Sequence, residues 1–228
     1  MAAIRGISSM ATKQLLAELA ALYRERSGVE VQVESVGGVD AARRVQADEA
    51  FDVVFLAVDA IDKLQQAGKV VAGTRVDIVR SGVSVAVKAG ASRPDISTEE
   101  ALKRAMLDAP SVGYSTGPSG TSLVKLVERW GLADAMRARL VQAPPGVPVG
   151  SLVADGKVAL GFQQLAELIH QPGIEVIGPM PAPVAIITTF SGAVCAASTQ
   201  REAVREMLGF MASPSTRDAK RRQGMESA

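Results

Sequence analysis

The segment with the clearest chemical content is the loop Tyr114-Ser-Thr-Gly-Pro-Ser-Gly-Thr-Ser122, which lies between an apolar, strand-like run and an amphipathic helical pattern. Its glycines let the backbone approach a ligand closely, and its hydroxyls supply hydrogen-bond donors. The N–H groups at the start of the following helix would point back at the loop. The pattern therefore predicts a binding site for a small anion, to which Ser119, Gly120, Thr121 and Ser122 contribute.

Composition excludes several other functions. The chain has 228 residues, a net charge of +1 and a single cysteine and histidine. The balanced charge argues against nucleic-acid binding. The sequence contains no apolar run of about 18 residues, the length that would predict a membrane-spanning helix. Cys195 lies in an apolar run, which favours a buried, unreactive thiol, and His170 is expected at an exposed helix end. We therefore expect no metal site and no cofactor.

Hydrophobic periodicity alternates between short apolar strands and amphipathic helices, which predicts an α/β fold with mixed, mostly parallel sheets. The anion loop is expected to follow a strand at Val112–Tyr114. A further strand is predicted at Val158–Phe162, with a helix over Gln163–Ile169 directly after it. Two predicted capping boxes, Ser97-Thr-Glu-Glu100 and Thr199-Gln-Arg-Glu202, mark helix starts.

The order of several short motifs resembles that of periplasmic molybdate-binding proteins over nearly the whole chain. The motifs are, in chain order, Gly28-Val-Glu-Val31, Gly37-Gly38, Ala42-Arg-Arg-Val-Gln46, Phe51-Asp-Val-Val-Phe55, Val83–Lys88, Ser151–Gly161, Val176–Pro181 and Met211–Arg217. Each motif alone is weak, but their shared order is fairly specific. The chain also looks similar to a divergent branch of that superfamily which includes aconitate isomerase.

This resemblance implies the type II periplasmic-binding-protein fold, in which two Rossmann-like lobes hold a ligand in the cleft between them. Lobe 1 would comprise residues 1–81 and 187–228, and lobe 2 residues 82–186. The two connecting strands would be Val79–Val87 and Ala185–Val194. The resemblance further implies a monomer with a small anionic ligand and, as a partner, the permease of an ABC transporter.

The resemblance also suggests ligand-binding positions, and these differ in part from the family pattern. Ser8 and Ser9 stand in the first strand–helix loop, where molybdate-binding proteins present serines. At the second turn the family shows a serine cluster, but this chain has Gly37-Gly38-Val39. Phe162 lies in the region where the family carries a tyrosine. The loss of hydroxyls argues against molybdate as the ligand.

Other polar residues favour a carboxylate. Arg80 and Ser81 are expected at the hinge, facing the cleft, and Gln163 at a strand end. Arginine binds a planar carboxylate through two parallel hydrogen bonds, whereas a tetrahedral oxyanion is well served by hydroxyls and backbone N–H groups. The predicted ligand is accordingly an organic di- or tricarboxylate.

Each of these positions also has a structural explanation, and more than one function remains open. The serines of either loop could cap helices, Arg80 could form an ion pair, and Gln163 could lie in a solvated turn. The chain could be a solute-binding protein, an isomerase of an unsaturated polycarboxylate, a binder of molybdate or another oxyanion, or the ligand-sensing domain of a regulator. For the isomerase no general base is evident, since Tyr114 or the loop serines would need activation. We expect a periplasmic protein if a signal peptide has been removed, and a cytoplasmic one if Met1 is native.

Overall fold

A computed structural model describes residues 3–228. Its helices and strands follow one another in the order β1 (Ile4–Ser9), α1 (Lys13–Ser27), β2 (Val31–Val36), α2 (Gly38–Gln46), β3 (Val53–Ala57), α3 (Val58–Gln66), β4 (Val76–Lys88), α4 (Glu99–Asp108), β5 (Val112–Tyr114), α5 (Pro118–Arg129), α6 (Ala133–Met136), β6 (Leu140–Gln142), α7 (Val149–Ala154), β7 (Leu160–Gln164), α8 (Leu165–Leu168), β8 (Ile174–Pro179), β9 (Ile187–Val194), α9 (Arg201–Ala212), α10 (Arg217–Arg222) and β10 (Glu226–Ser227). Short 3₁₀ helices cover Met10–Thr12, Ala182–Val184 and Pro214–Thr216. The alternation of strands and helices confirms the predicted α/β class.

The chain divides into two compact units. Unit 1 takes the chain up to Ser81 and from Thr188 to its end, and unit 2 comprises Gly82–Ile187. The chain passes from one unit to the other within β4 and again within β9. Each unit has its own hydrophobic core.

In unit 1, the strands β2, β1 and β3 are parallel neighbours in that order, and β9 pairs antiparallel with β3. All five residues of β3 are buried, as expected for a strand with both faces covered by helices. The core on one face is built by Ile7, Ala41, Val45, Phe51, Val54, Leu56, Ile61, Leu64, Val70, Ala193 and Cys195. The C-terminal strand β10 joins this unit by pairing with β4 through Arg80 and Val79.

In unit 2, the strand order is β8-β4-β7-β5-β6. The pairs β5–β6 and β5–β7 are parallel, whereas β4 pairs antiparallel with β7 and with β8. Two glycines allow α7 to pack closely on this sheet. A Cβ at Gly161 would lie 2.5 Å from Val153 Cγ2, and one at Gly113 would lie 3.1 Å from Val149 Cγ1. Side chains larger than hydrogen would push α7 away from β5 and β7.

Several predicted boundaries were wrong. Helix α4 is capped by Thr98, whose hydroxyl accepts from the Ala101 N–H at 3.1 Å, one residue after the predicted cap. Helix α9 has Gln200 as its N-cap without a side-chain bond, so the second capping box does not form. Strand β7 begins and ends two residues later than predicted. Gln163 thus lies in a strand, because β4 extends the ladder to Val83 opposite Gln164.

Candidate functional site

The carboxyl ends of β1, β2 and β3 form one edge of the unit 1 sheet, because these strands are parallel neighbours. Ser8 is fully buried there and is bonded within the protein. Its Oγ lies 2.7 Å from Ser35 Oγ on β2 and donates to the Ser9 carbonyl oxygen at 3.2 Å. The Ser8 hydroxyl therefore links β1 to β2 rather than capping a helix.

Ser9 ends β1 and has a different environment. The residue is only 8% exposed, and its Oγ has no hydrogen-bond partner among the described residues. It precedes the 3₁₀ turn Met10–Thr12 as the N-cap but makes no side-chain capping bond. Leaving a buried hydroxyl unpaired costs about 1–3 kcal/mol, so this group calls for an explanation such as a bound ligand.

Two longer helices start at the same edge without a side-chain cap. Helix α2 follows β2 with Gly37 as its N-cap, and α3 follows β3 with Ala57 as its N-cap. Neither N-cap residue has a side chain that could accept from the first N–H groups of its helix. Gly38 also lies against Ser9, since a Cβ there would be 3.6 Å from Ser9 Cβ. Ser9 and the uncapped starts of α2 and α3 thus lie at the same edge of the unit 1 sheet.

The anion loop of unit 2 follows β5 as predicted, and α5 begins at Pro118 with Gly117 as an N-cap that makes no side-chain bond. Ser115 organises the loop. Its Oγ accepts from the Gly117 N–H at 3.3 Å and lies 3.1 Å from Ser119 Oγ. The N–H groups of Ser119 and Gly120 belong to the first helical turn, in which no intrahelical acceptor exists.

Gly120 is required by a close backbone approach. A Cβ at this position would lie 1.8 Å from the carbonyl oxygen of Ser115, so no larger residue fits without moving the loop. Thr121 is exposed, and its Oγ1 donates to the Gly117 carbonyl at 3.4 Å. Ser122 is half-buried in the same turn. The donors that this loop offers are therefore mainly backbone N–H groups, with Ser115 and Ser119 beside them.

The structure places Arg80 and Ser81 on β4, in unit 1. The Arg80 side chain is 52% exposed and lies 3.4 Å from Glu226 on β10. An exposed pair of this kind contributes little to stability. Ser81 is fully buried, and its Oγ has no partner among the described residues. A ligand role for these two residues stays a prediction.

Gln163 lies inside unit 2, where its side chain has two internal partners. Its Oε1 accepts from the Gly150 N–H in α7 at 3.2 Å, and its Nε2 donates to Glu167 Oε2 at 2.7 Å. These bonds fix the orientation of the amide and show that the residue does not lie in a solvated turn. Any ligand contact of Gln163 would have to displace one of them.

Glu167, in α8, is the functional candidate that the sequence did not reveal. It is half-buried, and burial raises its pKa from 4.5 to about 7, although the hydrogen bond from Gln163 acts in the opposite direction. A carboxyl group with such a pKa exchanges protons near neutral pH. Nothing in the local sequence, Leu165-Ala-Glu-Leu168, distinguishes this glutamate from a surface residue.

The sequence singles out two further chemically versatile side chains, Cys195 and His170. Cys195 is buried, as predicted, and burial with the nearby Asp52 carboxylate raises its thiol pKa to about 12. His170 is exposed in the turn after α8. Within residues 3–228, no group of three or more His, Cys, Asp or Glu side chains could hold a metal ion.

No helix in the described part of the chain is long and apolar enough to cross a membrane.

Comparison with known proteins identifies the family. The chain is 36% identical to an aconitate isomerase from Pseudomonas sp. over 213 residues, which are 91% of this chain and 81% of the relative. Its fold is similar to that of the periplasmic molybdate-binding protein of Azotobacter vinelandii, with a TM-score of 0.79, 19% identity and coverage of 97% and 98%. It is also similar to the sulfate-binding protein SubI of Mycobacterium tuberculosis, with a TM-score of 0.80, 16% identity and coverage of 99% and 86%.

These neighbours confirm the predicted fold class, and the similarity to molybdate-binding proteins confirms the resemblance drawn from the motif order. The family profile described as bacterial extracellular solute-binding protein matches residues 4–226. Together with the 36% identical relative, this match shows that the chain belongs to the family of bacterial extracellular solute-binding proteins.

Proposed function

We propose that this solute-binding protein binds a small organic polycarboxylate, with a tricarboxylate as the preferred ligand. The observation that carries the proposal is the buried, unpaired hydroxyl of Ser9 beside the uncapped starts of α2 and α3. Helix N-termini favour negative charge, and an anion at this edge would supply the missing acceptor.

The class of anion is inferred from the hydroxyl groups that the proposed binding segments lack. At the second turn Gly37 and Gly38 replace hydroxyls, and Phe162 is buried in the unit 2 core instead of offering a phenol. A tetrahedral oxyanion bound without counter-charges needs many donors, whereas a flexible polycarboxylate can distribute its carboxylates over separate groups of N–H donors. The named substrate of the 36% identical relative, aconitate, is a tricarboxylate and supports this choice.

In this proposal the loop Ser115–Gly120 of unit 2 is a second segment that binds carboxylates. Supporting this, α5 begins, like α2 and α3, without a side-chain cap. An ABC-transporter permease as partner, a monomeric state and a periplasmic location remain predictions.

Isothermal titration calorimetry tests the binding. The panel contains cis-aconitate, trans-aconitate, citrate, succinate, molybdate and sulfate. We expect a tricarboxylate to bind most tightly, and Ser9→Ala and Ser115→Ala each to weaken it. Ser215→Ala, which removes an exposed hydroxyl, serves as the matched control. Tightest binding of molybdate or sulfate would favour an oxyanion transport protein instead, and no binding below about 1 mM would contradict the proposal.

A second function, isomerisation of an unsaturated tricarboxylate, is favoured by the 36% identity to aconitate isomerase over 91% of the chain. A double-bond shift needs a base for the allylic proton and donors that stabilise the intermediate anion. The helix N-termini of the proposed site would serve as those donors. Incubation of purified protein with pure trans-aconitate, followed by chromatographic separation of the isomers, tests this function. Formation of cis-aconitate supports it, and no conversion above the buffer control contradicts it.

A further inference from the structure

The isomerase function requires a proton carrier, and in unit 2 one carboxylate lies where such a group would be needed. Strands β5 and β7 are parallel neighbours, with Tyr114 opposite Phe162. Neighbouring strands are about 4.8 Å apart, so the loop after β5 and the helix after β7 begin at the same edge of the sheet. Glu167 lies in that helix, and the anion loop Ser115–Gly120 is the segment after β5.

The position of the carboxylate is fixed by a short chain of hydrogen bonds. Gln163 donates to Glu167 at 2.7 Å and accepts from the Gly150 N–H at 3.2 Å, so its amide cannot turn over without losing both bonds. Gln163 is 2% exposed and belongs to β7, which makes it a rigid support. A catalytic base needs this kind of orientation, because proton transfer is sensitive to small displacements.

From this arrangement, and relying on the proposed isomerase function, we infer that Glu167 is the acid–base residue that carries the proton between the two ends of the allylic system. Its carboxylate removes a proton from the methylene carbon, and the C–H electron pair forms the new double bond. The electrons of the old double bond move onto its far carbon, which takes no part in the new double bond. They are delocalised into the carboxylate of that carbon as a dienolate. Glu167 then delivers a proton to that carbon, either the one it removed or one exchanged with water, and is again ionised. The step requires no cofactor and no other reactant.

The charged groups around Glu167 leave its carboxyl able to act first as a base and then as an acid. Strand β7 and helix α7 carry no ionisable side chain, and on β8 Glu175 is held by Arg93 at 2.8 Å. His170 follows in the next turn. Burial is the main cause of the raised pKa of about 7, so both protonation states are populated at neutral pH. This is the condition under which one group removes and returns a proton efficiently.

The test compares wild-type protein with Glu167→Gln, which keeps the shape and can still accept from Gln163. Turnover of trans-aconitate is followed by chromatography, incorporation of deuterium from D₂O by proton NMR, and binding of the same tricarboxylate by calorimetry. We expect the variant to lose at least about 100-fold in kcat and in deuterium exchange, while the Kd changes by less than about threefold. Glu202→Gln, at an exposed position in α9, is the matched control and should behave as wild type.

A second variant keeps the inference testable if Glu167→Gln folds poorly. In Gln163→Ala the hydrogen bond that lowers the pKa of Glu167 is lost, so the acid limb of the kcat–pH profile should move to higher pH. A purely structural role of the pair would lower stability without moving that midpoint.

The outcomes separate the two proposals. If wild type turns over aconitate and Glu167→Gln retains more than about a third of kcat, the assignment of Glu167 is wrong while the isomerase function stands. If wild type binds a tricarboxylate but neither converts it nor exchanges deuterium, the assignment and the isomerase function both fail and the binding function stands. If no tricarboxylate binds, all three are contradicted.

Discussion

Replacing Glu167 by glutamine should stabilise the folded protein at alkaline pH but not at acidic pH. In the folded state the pKa of this carboxyl is about 7, and its ordinary value is 4.5. Between these two values the folded state binds more protons than the unfolded state, so stability falls as the pH rises from 4.5 to about 7. Each factor of ten in proton affinity is worth about 1.4 kcal/mol, which gives an upper bound of roughly 3 kcal/mol above pH 8.

Urea unfolding at a series of pH values measures this effect. The difference in unfolding free energy between Glu167→Gln and wild type should increase by about 2–3 kcal/mol between pH 4 and pH 8.5. Glu202→Gln, whose side chain is 82% exposed, should show no such trend. A difference for Glu167→Gln that stays constant within about 0.5 kcal/mol would refute the raised pKa, and with it the physical basis for proton transfer at neutral pH.

Four further substitutions test other parts of the structure. Gly120→Ala should destabilise the protein by roughly 3 kcal/mol or more, because the new Cβ would lie 1.8 Å from the Ser115 carbonyl oxygen. A Cβ at Gly209 would have no atom within 4 Å, so Gly209→Ala should instead stabilise α9 by about 0.5–1 kcal/mol in thermal unfolding. Ser9→Ala should leave the melting temperature unchanged or raise it, since its hydroxyl is unpaired, yet weaken ligand binding by about fivefold; a lowered melting temperature with unchanged affinity would contradict its proposed role. Lys220→Met should raise the unfolding free energy by about 1–2 kcal/mol at pH 7, because the Lys220 amine is fully buried without a partner and burial lowers its pKa. The wild-type penalty should shrink as the pH rises toward 10.5, so a gain that is the same at pH 7 and pH 10 would contradict this explanation.

Much of the fold was predictable because it depends on local periodicity. Strand β5 begins and ends at the predicted residues, and the helix start after the anion loop follows from Gly117 and Pro118. Boundaries failed where a distant partner decides them. Strand β7 continues through Gln164 because β4 pairs with it, and no feature of the sequence around Gln163 encodes that partner.

The site was predictable only in part, for the same physical reason. Loops that carry glycines and hydroxyls can be recognised in a sequence, so the segments around Ser9 and Ser119 could be predicted as binding loops. The hydrogen bonding and burial of a single side chain, however, depend on which residues the fold packs against it. Ser8 and Ser9 are adjacent and identical in type, yet one is bonded to Ser35 and the other is unpaired. Glu167 becomes distinctive only through its burial beside Gln163.

The most direct test of the central proposal is a calorimetric competition between trans-aconitate and molybdate on the purified protein. The proposed site predicts that trans-aconitate binds with a Kd well below about 1 mM, that Ser9→Ala weakens this binding, and that excess molybdate does not displace it. Saturable binding of molybdate together with undetectable binding of trans-aconitate would contradict it.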